Sequence, residues 1–167
     1  MLGIETAPLP PGLHEMTLTP SADEVNLDPE MFDDITVEIR LDHEQERDLI
    51  AFTARATATL ECDRTLVPFQ QRVKGTYAVL FVLPEHLDRY TGDAADNDDV
   101  RPLPEPGVEL DITDPVRDTL LLALPTRRVA PGAEDEDLPT QFGALTDADG
   151  NTVDPRWEAL KKLRDSQ

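Results

Sequence analysis

The sequence predicts an α+β domain, a curved antiparallel sheet or partial barrel of five to six strands with a buried helix and a C-terminal helix. Three observations predict it. Two segments alternate apolar and polar residues along their length, as half-buried strands do. The turns between the strand segments are too short for a parallel crossover, which needs about a dozen residues, so neighbours must be antiparallel. An apolar run bounded by Pro115 and Pro125 then reads as a helix over 114–124.

The elements follow in order. Residues 1–30 carry Pro8, Pro10, Pro11, Pro20 and Pro29. Repeated Pro excludes a long helix and most central strands, so this part reads as an extended Pro-rich arm with at most a short strand at 16–19. A single α+β domain is expected over 31–167. Its first strand places Ile35, Val37, Ile39 and Leu41 on one face. The charged stretch 42–48 is a turn or short loop. Over 52–62, Phe52, Ala54, Ala56, Ala58, Leu60 and Cys62 share one face, and Thr53, Arg55, Thr57, Thr59 and Glu61 the other. The small Ala side chains predict close packing against a second layer. Residues 63–68 turn the chain. One or two strands follow over 69–73 and 76–83, with Gly75 a bulge candidate between them. Residues 91–107 and 130–140 are acidic and Pro-containing, and read as loops. A short strand at 108–112 precedes the helix. Asp114 or Thr113 caps that helix, and Val116, Leu120, Ala123 and Leu124 line its buried face. Leu121 and Leu122 widen the face, predicting a largely buried helix. A terminal helix over 154–164 begins at Asp154 and Pro155.

Composition bounds the function. The formal charge is −20, with 15 Lys and Arg against 35 Asp and Glu. Such a chain repels nucleic acid over most of its surface, so its clusters of cations carry the information. Asp exceeds Glu, and Lys is scarce beside Arg. That pattern is expected of a very salty cytoplasm, which makes the acidity a mark of habitat; the other reading is an acidic surface built for a basic partner. The one Cys excludes an internal disulfide and a Cys-rich zinc site. No apolar run is long enough to cross a membrane as a helix, and the N-terminal residues lack a basic, then apolar, leader. A cytoplasmic protein is expected.

No catalytic constellation stands out. His14, His43 and His86 have no spacing that would join them as ligands, and the Gly residues are scattered singly. No catalytic residue, metal, cofactor or small-molecule substrate is expected. The run 147–154 has a distant likeness to a calcium loop, but Thr152 stands where that loop needs Gly, and Asp149-Gly150-Asn151 makes a tight turn instead. Cys62 reads as a small buried apolar group; a reactive thiol would want cations around it, and Arg64 is only one.

The terminal helix gathers the only Trp and two of the three Lys. At about 100° per residue, Ala159, Leu160 and Leu163 define an apolar side, with Trp157 at its edge between Lys161 and Arg164. Lys162 can pair with Glu158 one turn back. One reading is a docked helix with a solvated polar face. The other is a Trp with flanking cations that grips RNA or a ribosomal protein through Arg156, Trp157, Lys161 and Arg164. Arg64, Arg127 and Arg128 are the second candidate group.

Three segments in order resemble one family. Leu60-Glu61-Cys62-Asp63-Arg64-Thr65, followed by Pro68-Phe69 and Val73, resembles its strand-turn motif. Leu110-Asp111-Ile112-Thr113 leading into Leu120-Leu121-Leu122-Ala123-Leu124-Pro125 resembles its apolar helix. The run from Asp154-Pro155-Arg156-Trp157 to Leu160 and Leu163 resembles its C-terminal tail. The family is the bacterial large ribosomal RNA subunit accumulation protein, YceD, also found in plastids, and the likeness spans about 35–164. Resemblance implies a non-enzymatic factor in accumulation or processing of 23S rRNA, hence in assembly of the large ribosomal subunit. The implied partner is large-subunit rRNA or a ribosomal protein, with no membrane role; the alternative is an acidic adaptor that holds a basic ribosomal protein before its incorporation. Members often carry a second Cys where this chain has Thr65, and many have a further Cys cluster after the helix. Here that region is Thr126-Arg127-Arg128-Val129-Ala130-Pro131, so a Cys₄ zinc site is excluded, and packing and hydrogen bonds must hold the turn.

Overall fold

The computed structural model describes residues 1–91, 99–105 and 109–133. The chain divides into two compact units, Met1–Ala130 and Pro131–Gln167. All elements below belong to the first. The terminal helix expected at 154–164, the acidic loop over 134–140 and the turn at 147–154 lie outside the described residues.

Among the described residues seven strands form two sheets. Strands β2 (Gly12–Leu18), β3 (Phe32–His43), β4 (Arg47–Glu61), β5 (Pro68–Val82) and β6 (Val100–Pro102) make a five-stranded sheet in chain order. Strands β1 (Gly3–Ile4) and β7 (Leu110–Asp111) pair as a second, small antiparallel sheet. The fold is α+β as predicted, with a mostly antiparallel sheet, but the sheet does not close into a barrel. It is also mixed, because β6 runs parallel to β5. The connection between them, over 83–99, is long enough for a parallel crossover, and it carries a 3₁₀ turn at Pro84–His86 and helix α1 (Leu87–Thr91). Strand β6 lies inside the stretch expected to be loop.

The hairpins follow the alternation. β3 and β4 pair from His43↔Asp48 to Phe32↔Ala58, with a bulge between Asp33 and Thr36 where Asp34 takes a positive φ of 52°. The expected short strand at 16–19 is the end of the longer β2, which sits at the sheet edge beside β3. An edge position tolerates Pro in the flanking segments, because one side of the strand forms no ladder.

Gly75 is not a bulge. β4 and β5 pair without interruption from Arg47↔Val82 to Glu61↔Pro68, through Ala54↔Gly75, so of the one or two strands expected over 69–73 and 76–83 there is one. Gly is needed there because helix α2 (Thr113–Leu122) crosses at contact distance. A Cβ on Gly75 would stand 2.4 Å from Thr119 Cγ2 and 2.9 Å from the Thr119 carbonyl oxygen. Ala54, Ala56 and Ala58 on β4 widen the same close approach, as their small size predicted.

Helix α2 buries Val116 and Leu120 fully, with Ala123 and Leu124 packed behind them. Leu121 and Leu122, expected to widen the buried face, are 42% and 86% exposed. They stand about 100° and 200° around the helix from Leu120, and the sheet covers only one side. Neither Asp114 nor Thr113 is the N-cap. Asp111 accepts hydrogen bonds from the Thr113 backbone N–H at 2.9 Å and the Thr113 hydroxyl at 2.5 Å, and that hydroxyl accepts the Leu2 N–H at 2.7 Å. The helix start is thereby tied to the N-terminal segment. Ile35, Val37, Ile39, Leu41, Ile50 and Phe52 from the sheet join Leu2, Ile4, Val25 and Leu27 in one core.

Candidate functional site

Two places in the first unit bring cationic residues together. The first is the corner after β4. Cys62 N–H donates to the Val67 carbonyl at 3.0 Å and Leu66 N–H to the Cys62 carbonyl at 2.9 Å, with Leu66 at φ 57°. The segment beyond α2 folds back onto this turn. Asp63 N–H donates to the Arg128 carbonyl and Arg128 N–H to the Asp63 carboxylate, each at 2.7 Å. Ala130 N–H donates to Cys62 Sγ at 3.3 Å. Arg64 and Arg128, far apart in sequence, are thus brought to one corner, with Arg127 adjacent in the chain.

Cys62 is fully buried. Its thiol is pulled down to about 7, first by the Ala130 N–H and then by the Thr65 hydroxyl, with the Thr65 and Arg64 backbone adding to them. Hydrogen-bond donors aimed at sulfur favour the thiolate. Backbone and hydroxyl donors therefore do what cations were expected to do, and Thr65 supplies one of them. The outer side of the turn presents Leu66 and Val67 to solvent.

The second place is the outward face of the sheet. On it β4 carries Thr53, Arg55 and Thr57, and β5 carries Gln70, Arg72, Lys74 and Thr76. Register sets Arg55 directly opposite Lys74 and Thr57 opposite Arg72. Arg55 pairs with Glu38 at 2.5 Å; Arg72 and Lys74 are exposed and make no ion pair among the described residues. A hollow of about 430 Å³ lies over this cluster, lined by Asp34, Arg55, Thr57, Arg72 and Lys74. Farther along the same face, Glu15 meets Arg40 at 3.3 Å, beside a wider open hollow of about 920 Å³. Sequence reading passed over Arg72 and Lys74. Their signal was the two-residue spacing that puts both on one face, combined with a short turn that sets β5 against β4.

Among the described residues Asp48 is a buried carboxylate with a half-buried histidine partner. Asp48, 1% exposed, contacts His43 Nδ1 at 2.5 Å. The two are cross-strand partners next to the connecting turn, so the contact ties the loop end of the β3–β4 hairpin. Among the described residues no group of three His, Cys, Asp or Glu side chains could hold a metal ion, and no helix is long and apolar enough to cross a membrane.

The family model for the large ribosomal RNA subunit accumulation protein YceD matches residues 50–164, well over half of the chain. The chain belongs to the YceD family. Neither a curated protein nor a solved structure matches it. The YceD match takes in β4, the Cys62 corner, β5 and α2, and so includes both cation groups. It also spans Arg156, Trp157, Lys161 and Arg164, which lie outside the described residues. The family is named for accumulation of large-subunit rRNA, and membership ties this YceD chain to that process.

Proposed function

We propose that this protein is a cytoplasmic, non-enzymatic assembly factor that supports accumulation or processing of the 23S rRNA of the large ribosomal subunit. Family membership over residues 50–164 carries the reading. The residues assigned to RNA or ribosome contact are Arg156, Trp157, Lys161 and Arg164 of the terminal segment, with Arg64, Arg127 and Arg128 at the corner after β4. Depletion of the protein from its host tests the function: large-subunit rRNA should fall relative to small-subunit rRNA. An unchanged ratio overturns the proposal. Within that function, Lys161→Glu with Arg164→Glu should abolish co-sedimentation with large-subunit precursors while leaving the fold intact.

The net charge of −20 favours a second reading. An acidic chain can hold a basic ribosomal protein before its incorporation, with its carboxylates standing where rRNA phosphates later stand. Pull-down with and without ribonuclease separates the two readings, because only the adaptor's complexes survive digestion.

A further inference from the structure

Arg55 and Lys74 face each other across β4 and β5. Like charges directly opposite on one sheet face destabilise the pair. Glu38 relieves Arg55 at 2.5 Å, which leaves Lys74 and Arg72 two residues apart on one face with no carboxylate in ion-pair range among the described residues. In a chain with 35 acidic side chains, a carboxylate at one of the neighbouring Thr positions would have relieved this repulsion. Thr53, Thr57 and Thr76 stand there instead; Thr57 lines the hollow with Arg55, Arg72 and Lys74, and Asp34 at its rim pairs with neither Arg72 nor Lys74. Two cations held on one face without a direct carboxylate partner among the described residues point to a ligand that supplies negative charge.

We infer that this face binds the phosphate backbone of large-subunit rRNA, with Arg72 and Lys74 as the charged contacts, Arg55 beside them and Thr57 as a hydroxyl donor. This deepens the assembly-factor reading and rests on it. Hydroxyls and cations on a flat surface suit phosphate and ribose oxygens. The strand positions on this face around the cluster carry no aromatic side chain, and Phe52 and Tyr77 stack at 6.1 Å on the opposite side of the sheet. Bases therefore have no aromatic ring to stack on here, which favours a contact that reads backbone geometry rather than sequence.

The experiment measures binding of the full chain to a large-subunit rRNA transcript across a salt series. For the wild type, log affinity falls with log salt. Each phosphate neutralised contributes roughly 0.7–0.9 to that slope. Arg72→Gln with Lys74→Gln should reduce the slope by about 1.4–1.8 and weaken binding about tenfold at low salt. Arg89→Gln with Arg101→Gln removes equal charge away from this face, and should leave slope and affinity near wild type. Both pairs are judged after thermal denaturation confirms folding, and Thr57→Ala, which removes no charge, should weaken binding by a smaller factor. An unchanged slope in the Arg72/Lys74 variant overturns the inference, as does an equal loss in the control pair. Polyglutamate bound as tightly as RNA of equal charge overturns it in favour of an acidic protein partner. Wild-type protein that fails to bind the transcript also overturns it, while a fall in rRNA on depletion would still support the assembly-factor reading through another contact.

Discussion

Cys62 is the small buried group that its sequence predicts, and its surroundings add a hydrogen-bonding environment that the sequence does not display. Its alternation with Leu60 placed it on the buried face, and it is there. The donors around its sulfur were not legible, because Ala130 reaches it from far along the chain. They have a consequence in pH. The folded thiol lies near 7, against an ordinary value of 9.0. Below about pH 7 both folded and unfolded forms hold the proton, and the thiol contributes nothing. Between 7 and 9 the unfolded state binds more protons, so stability rises with pH and the contribution is complete above 9. Urea midpoints of the wild type and Cys62→Ala should therefore diverge as pH rises through this window, with the wild type gaining. A difference independent of pH would mean that the N–H groups do not stabilise a thiolate.

Among the elements, strands were legible and their edges were not. Alternation located β3, β4 and β5, because one face of each packs on a core and the other meets solvent. Gly75 was misread because a bulge and a close approach leave the same mark in sequence; only the position of Thr119 on α2 separates them. β1, β6 and β7 are two or three residues long, too short for any period to appear. The register that sets Arg55 opposite Lys74 depends on where the turn after β4 begins and ends, which the irregular run 63–68 does not fix in sequence. In α2, four consecutive apolar residues from Leu120 to Ala123 hide which way the helix faces. The structure settles it, and substitution checks it. Leu120→Ala should cost about 2–5 kcal/mol, as for a fully buried Leu. Leu122→Ala, at 86% exposure, should change stability by less than about 0.5 kcal/mol. Equal losses at the two positions, measured by chemical denaturation, would place the helix in a different rotation.

For the whole molecule the deciding quantity is a charge of −20 carried with only 15 cations. Several of those cations are engaged locally: Arg47 with Glu44, Arg117 with Asp114 and Asp118, Arg40 with Glu15, Arg55 with Glu38. Exposed pairs of this kind each contribute little, so the remaining carboxylates repel one another across the surface. Unfolding separates them, and salt screens them. The Debye length falls from about 30 Å at 0.01 M to about 10 Å at 0.1 M and about 3 Å at 1 M. The melting temperature should therefore rise steeply with added KCl up to a few tenths molar and flatten once the screening length drops below the spacing between carboxylates. RNA contact through Arg72 and Lys74 responds to the same salt with the opposite sign. A host that keeps its cytoplasm salty would stabilise this fold while weakening that grip, so binding there must draw on hydroxyl and apolar contacts that salt does not screen. Thermal denaturation in KCl measures the first half of this argument. A melting temperature that stays flat from 0.01 to 1 M would show that the carboxylates do not strain the fold, and would shift the account of the acidity from habitat to a basic partner.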